Sequence, residues 1–437
     1  MSQDRYRKVP SVRLSRLASF GQLAGGIAGG MMAEGVRRLA RGERPQMSDL
    51  LLTPGNAMRL TDQLSRLRGA AMKLGQMISL DAGDLLPAEL TAILARLRDA
   101  AHFMPPAQLN QVLQTEWGKD WRRRFARFEA TPVAAASIGQ VHRATLPDGR
   151  VLAIKVQYPG VAASIDADVD NVATLLRLSG LLPETLDVAP LLAEAKRQLR
   201  EEADYLREAD QMRRYGALLA DHPAFVLPAP VAELSGERVL AMDFLPGQPI
   251  ETLLQASQEV RDQAMAALLE LVLRELFEFG YMQTDPNFAN FRWQADTGRI
   301  VLLDFGAARA VPDATVAAYR RLMHAGLAED RAALRDALLA IGFVSPVTLE
   351  RHSGSLDAMI DVLIGHLGRP GLFDFADRSF VAEVRRHAET IAADRAAWHI
   401  PPADTLFVQR KVSGTALLAV RMEARLPLRD MVAAKLA

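Results

Sequence analysis

The sequence predicts an α+β chain with two unlike halves and a helical extension ahead of them, and three observations carry that prediction. Short β-branched apolar runs cluster between residues 126 and 245, while helical periodicity fills most of what precedes and follows them. Five charged or amide side chains, Lys155, Glu208, Asp285, Asn290 and Asp304, are distributed over both halves in one order. The spacing of those five restricts which α+β architecture is meant.

Taken in chain order, residues 1–50 form a basic amphipathic segment. Its small-residue run from Phe20 to Met32 is flanked by Arg5, Arg7, Lys8, Arg13 and Arg16 on one side and Arg37, Arg38, Arg41 and Arg44 on the other. Small residues every three or four positions let helices approach closely, so the segment suits packing, a homodimer contact or docking at a membrane surface. Residues 51–125 read as helical: Leu51 to Leu67 is periodic and Pro87 to Arg98 carries leucines at helical spacing. Strands begin near Phe128 and include Val151 to Val156, which opens after the turn Leu146-Pro147-Asp148-Gly149. A helical interval, read as an inserted helix pair, reaches Arg214, and further strands are expected at Val226–Pro230 and Val239–Phe244. Leu245-Pro246-Gly247-Gln248-Pro249 breaks every periodicity and is the expected linker, so residues 126–245 form a small β-rich lobe and 246–437 a helical one. Within the second lobe, Ala264 to Gly280 is a strongly apolar helix, and nearly everything after Asp304-Phe305-Gly306 reads as helix.

Composition narrows the function classes. At 437 residues and 49% apolar content the chain is globular and too long for one core. Lys plus Arg equals Asp plus Glu, at 52 each, which gives no electrostatic reason to expect a nucleic-acid partner. The absence of cysteine excludes disulfides and thiolate metal sites and fits a cytoplasmic location. No run of about 18 strongly apolar residues occurs, so any membrane association is expected to be peripheral.

The chemistry lies in the five spaced side chains. Asn290 follows Asp285 by five positions, the offset of a kinase catalytic loop, and Asp304-Phe305-Gly306 follows the apolar strand Ile300 to Leu303. Phosphoryl transfer needs little covalent help from a protein. It needs Mg²⁺ bridging phosphate oxygens, a cation on the phosphates and a carboxylate near the nucleophile. Asn290 and Asp304 suit the metal, Lys155 the phosphates and Asp285 the nucleophile. Glu208, on the next helical stretch, would hold Lys155 charged and aimed. No single tripeptide here identifies an activity; the ordered set identifies a protein kinase-like bilobal fold with an ATP site. Asp243, at the end of the strand before the linker, joins the ATP-binding set.

The pattern departs from a protein kinase at several points. Where a glycine-rich loop would cover the phosphates, the chain has Ala134, Ala135, Ala136 and Ser137, and alanine resists the positive φ angles glycine adopts freely. Gln283-Thr284 replaces the His-Arg before the catalytic Asp, and no Ala-Pro-Glu follows Asp-Phe-Gly. With Lys73-Leu74-Gly75-Gln76 on the extension, Glu202-Ala203-Asp204 before Glu208, and Gln283-Thr284-Asp285-Pro286-Asn287, residues 12–310 resemble the UbiB-like (AarF) atypical kinases, in particular the coenzyme Q biosynthesis branch.

The resemblance implies that Lys73 and Gln76 cover the pocket with Glu202 and Asp204 nearby, and that the activity is ATP hydrolysis with Mg²⁺ rather than peptide phosphorylation. It implies work at a membrane surface, on or beside a quinone-like lipid, alongside ubiquinone biosynthesis enzymes. Residues i and i+2 do not share a helix face, so Glu202 and Asp204 point one way only if their helix is irregular; on a regular helix Asp204 shares the face of Glu208. Two other functions fit the same residues: a kinase for a lipid or isoprenoid precursor, and a nucleotide-sensing pseudokinase scaffold. The complete metal set argues against the scaffold.

Overall fold

The computed structural model describes residues 103–136, 138–178, 189–285, 287–397, 399 and 401–436. The basic segment 1–50, Lys73 and Gln76 of the extension, and Ser137 of the alanine loop lie outside them. The chain divides into two compact units, the first running to Arg213 with Pro228–Phe244, the second comprising Arg214–Leu227 and Leu245–Ala437. Residues 214–227 thus pack with the second unit and not, as the boundary at 245 had placed them, with the first.

The first unit is built on a five-stranded antiparallel sheet. Strands β1 (Arg127–Phe128), β3 (Gly139–Thr145), β4 (Val151–Gln157) and β6 (Val239–Asp243) lie in that order, and β2 (Ala134–Ala135) adds to β3. The β3–β4 hairpin closes where the turn chemistry requires, with Gly149 at φ +90° and Leu146 N–H donating to the Arg150 carbonyl at 2.9 Å. Leu152, Ile154 and Val156 alternate onto one face and are fully buried. Helix α1 (Pro106–Trp117) covers that core through Leu109, Val112 and Leu113, and Trp117, Trp121, Phe125 and Phe128 form a chain of tilted and edge-on rings beside it. The helical interval holds three helices rather than a pair: α2 (Val161–Leu178), α3 (Ala189–Glu202) and α4 (Tyr205–Leu218).

One buried polar chain ties this core together. Gln140 Oε1 accepts the Met104 N–H at 2.8 Å, so its amide nitrogen faces His142 Nε2 at 2.8 Å, and His142 Nδ1 is left to donate to the Glu129 carbonyl at 2.8 Å. The imidazole is therefore neutral, and burial lowers its pKa to about 4. A depressed folded-state value means stability is complete above the unfolded value near 6.5 and falls as pH drops toward 4. We expect this group alone to make the protein about 2 kcal/mol less stable at pH 5 than at pH 8. In denaturant titrations at the two pH values, His142→Gln should flatten that dependence.

The second unit is less purely helical than its periodicity suggested. Strands β5 (Phe225–Val226), β10 (Arg299–Leu302), β9 (Phe291–Gln294) and β7 (Gln248–Pro249) form a four-stranded sheet in that order, with β5 parallel to β10. The expected strand at 226–230 is thus two residues long and belongs to this sheet. A ribbon pairs β8 (Tyr281–Gln283) with β11 (Ala308–Ala310), and another pairs β12 (Phe373–Asp374) with β13 (Arg425–Leu426). The remainder is helical: α5 (Gln258–Phe277), α6 (Asp313–Leu327), α7 (Arg331–Ile341), α8 (Pro346–Leu367), α9 (Val381–Ala392), α10 (Ala403–Arg421) and α11 (Leu428–Leu436). Ser257 caps α5 and Asp330 caps α7, each through its side-chain oxygen. Helix α7 ends at Gly342, whose φ of +83° and closeness to Pro402 exclude a side chain. The core of this unit gathers Val272 and Leu276 of α5, Met282, Tyr319, Ile341 and Val408. Among the described residues, no helix is long and apolar enough to cross a membrane.

Candidate functional site

The first unit holds a buried ion pair. Lys155 sits on the face of β4 opposite Ile154 and Val156, and its Nζ lies 2.8 Å from both carboxylate oxygens of Glu208 on α4. The Glu208 side chain is 1% exposed and that of Lys155 11%, and the Tyr205 ring centre stands 5.1 Å from Nζ. Sequence spacing alone had assigned this partnership.

How α4 is placed corrects the reading of the Glu202-Ala203-Asp204 stretch. The expected single helix breaks after Glu202, and Asp204 begins a new one: its Oδ1 accepts the Arg207 N–H at 2.9 Å. Asp204 is therefore the N-cap of the helix that carries Glu208, not a residue on its face. Glu202 is the last residue of α3. Between the two helices, the Gln157 amide donates to the Ala203 carbonyl at 2.6 Å, fixing the break against the end of β4.

The alanine loop is held in an extended form. Ala134 and Ala135 pair with Val141 and Gln140, and Ala136 N–H donates to the Gly139 carbonyl at 2.9 Å. A Cβ at Gly139 would lie 2.4 Å from the Val156 carbonyl oxygen and 2.9 Å from the Tyr205 hydroxyl. Only glycine lets this turn rest against β4 and the ring beside Lys155. Asp243 ends β6, where its Oδ2 accepts the Ala229 N–H at 3.1 Å.

In the second unit Asp285, Asn290 and Asp304 are brought onto neighbouring segments. The β8–β11 ribbon sets Gln283 opposite Ala308, and Thr284 Oγ1 donates to the Ala307 carbonyl at 2.9 Å. Asn290 Nδ2 donates to Asp285 Oδ2 at 3.2 Å, and the Leu303 N–H, one residue before Asp304, donates to the Asn290 carbonyl at 3.0 Å. Asn287 closes the short turn between them by accepting the Ala289 N–H. Asp304 Oδ1 accepts the Gly306 N–H at 3.0 Å, the local turn that the Asp-Phe-Gly sequence favours.

These residues fit Mg²⁺. Asn290 and Asp304 offer hard oxygen donors, and among the described residues no cluster of three or more His, Asp or Glu would hold a metal alone. Mg²⁺ prefers one or two protein ligands completed by phosphate oxygens and water, which is what such a sparse set provides.

Comparison with known proteins gives the family of the chain. The ABC1 atypical kinase-like domain matches residues 96–338. The chain belongs to that family. It is 38% identical to "Atypical kinase COQ8, mitochondrial" of Saccharomyces cerevisiae across 95% of this chain and 83% of that one. With "Atypical kinase COQ8B, mitochondrial" of Rattus norvegicus the identity is 39%, covering 98% and 81%. Among solved structures, the complex of Rv3197 with erythromycin from Mycobacterium tuberculosis superposes with a TM-score of 0.60 at 26% identity, covering 86% of this chain and 94% of that one. The UbiB-like resemblance read from the motifs is thus family membership, the COQ8 relatives are those of the coenzyme Q branch, and the kinase-like α+β fold expected from the sequence is the fold of this ABC1-family chain.

What the sequence reading of this family member missed lies beside the segment that runs from Gln283 to Asn290. Helix α5, read as an apolar helix, carries the fully buried Glu275, whose Oε1 accepts the Tyr215 hydroxyl at 2.8 Å and the Gln283 N–H at 3.2 Å. Lys411 of α10, also buried, approaches Glu275 Oε2 at 3.3 Å. Burial raises the carboxyl of Glu275 against the opposing pull of Lys411, and burial together with the Glu275 charge pushes the Tyr215 hydroxyl well up. A signal existed: Lys411 interrupts the buried stripe Phe407, Val408, Thr415, Leu418, where a lysine is out of place unless paired.

Proposed function

We propose that the protein hydrolyses Mg-ATP in support of ubiquinone biosynthesis. In this reading Lys155 engages the α- and β-phosphates with Glu208 aiming it, Asn290 and Asp304 hold Mg²⁺, and Asp285 orients the attacking water. The alanine loop Ala134–Ser137 and Asp243 border the nucleotide, and Lys73 with Gln76, Glu202 and Asp204 covers the pocket. The Mg²⁺ would neutralise charge on the phosphate oxygens as the terminal phosphoryl group leaves. Everything else falls to the chain: Lys155 supplies a fixed cation, and Asp285, already tethered to Asn290 and the Asn287 N–H, supplies a carboxylate held in one orientation.

The observation that carries the reading is the Lys155–Glu208 pair. A lysine so deeply placed on a strand, gripped by both oxygens of a helix carboxylate, is otherwise a costly feature with no structural purpose. Water rather than a peptide is favoured as acceptor because Ala-Pro-Glu and the His-Arg before the catalytic Asp are absent. The relatives named COQ8 support the ubiquinone setting, and the basic segment before residue 45 suits a peripheral position on an anionic bilayer, where a homodimer contact is also available.

The test is phosphate release from ATP by the full chain, with and without vesicles of anionic phospholipid and a quinone-like phenol. Release that requires Mg²⁺ and rises with vesicles is the expected result. Transfer of label from ATP to the phenol or to an isoprenoid alcohol would replace hydrolysis with small-molecule phosphorylation, and nucleotide binding without turnover would leave a scaffold.

A further inference from the structure

Helix α10 reaches the residues assigned to the metal through one buried charge. Around the Glu275–Lys411 pair, three backbone segments are held, and each lies next to a proposed site residue. Gln283, two positions before Asp285, gives its N–H to Glu275 at 3.2 Å and its Oε1 stands 3.4 Å from Lys411 Nζ. Phe291, immediately after Asn290, lies with its ring centre 5.8 Å from the same ammonium. Phe305, immediately after Asp304, packs at 5.0 Å on the Tyr215 ring, whose hydroxyl donates to Glu275. Glu275, Lys411, Gln283 and Tyr215 line one cavity with Asn290 and Asp304 themselves.

A buried ion pair adds little stability compared with apolar side chains of the same volume, but it fixes the groups bonded to it in one arrangement. The site supplies a use for such rigidity, since metal oxygens misplaced by a fraction of an ångström bind Mg²⁺ poorly. We propose that Glu275 and Lys411 are positioning residues that set the segments bearing Asp285, Asn290 and Asp304 for Mg-nucleotide, with Gln283 transmitting the charge of α10 to the catalytic segment. The inference rests on the Mg-ATP reading above. It gives α10, among the helices after residue 310, a part in the site beyond packing.

The experiment compares the wild-type chain, Glu275→Leu/Lys411→Met, Gln283→Met and Asp304→Asn. Thermal unfolding, calorimetric titration of ADP with and without Mg²⁺, and the Mg²⁺ dependence of turnover are measured for each. The expected result for the double variant is retained folding, with a melting temperature lowered by the Tyr215 hydroxyl and Gln283 N–H that lose their acceptor, and unchanged metal-free ADP affinity. Its half-saturating Mg²⁺ should rise about tenfold or more, with a lower kcat and little change in the KM for ATP. Gln283→Met should move in the same direction by a smaller factor. Wild-type Mg²⁺ dependence in both variants overturns the proposal, as does a double variant that fails to fold while Gln283→Met binds Mg-ADP normally, because the pair is then structural. If the wild-type chain takes up no Mg-nucleotide, or Asp304→Asn binds it unchanged, the Mg-ATP reading has failed instead.

Discussion

Asp285→Asn is expected to lower ATP turnover by about 100-fold or more while leaving the fold and nucleotide affinity intact. Asp285 Oδ2 accepts from Asn290 and its Oδ1 from the Asn287 N–H, and a side-chain amide keeps the size and one oxygen while losing the charge that orients a water nucleophile. The loss should therefore fall on kcat and not on the KM for ATP. Single-turnover phosphate release beside an ADP titration separates the two. Unchanged turnover would remove Asp285 from the mechanism and with it the assignment of the Asp-x4-Asn segment.

Lys155→Met has two effects that must be read apart. It removes the cation proposed to grip the phosphates, so ATP turnover should fall below detection. It also leaves Glu208, 1% exposed, as a buried carboxylate without its counter-ion, at a cost of about 3–5 kcal/mol. That is a large share of the roughly 5–15 kcal/mol by which a domain is stable, so the single variant should unfold at markedly lower denaturant. Replacing both partners, in Lys155→Met/Glu208→Leu, removes the stranded charge and should restore most of the stability without restoring turnover. Denaturant midpoints and ATP hydrolysis on the three proteins decide it: a double variant that hydrolyses ATP at the wild-type rate would reduce the pair to a structural one.

The motif residues were legible because the chemistry restricts them locally. A strand lysine, an Asp-x4-Asn segment and an Asp-Phe-Gly after an apolar strand are each written in a few adjacent residues, and their order along the chain fixes the fold. Partnership of Lys155 with Glu208 followed from that order. The face assigned to Asp204 did not hold, because helical periodicity cannot show that a helix stops and restarts. Asp204 satisfies a free N–H of the second helix, and that capping bond ends the register the periodicity had continued. Segment 214–227 was misplaced for a related reason: Phe225 and Val226 have strand character, but which sheet they join is set by pairing with Ile300 and Val301, far along the chain.

By itself the sequence determined the kinase-like class and the hairpin that presents Lys155, and it picked out the residues proposed for nucleotide and metal, because these depend on side-chain chemistry and spacing over short stretches. Only the tertiary structure decided that Gln140 and His142 form a neutral buried chain, that Gly139 must lack a side chain, and that Lys411 meets Gln283 across 128 residues. A buried polar group is tolerated only when a partner faces it. For groups so distant in sequence, that partner is fixed by packing, which no local pattern records.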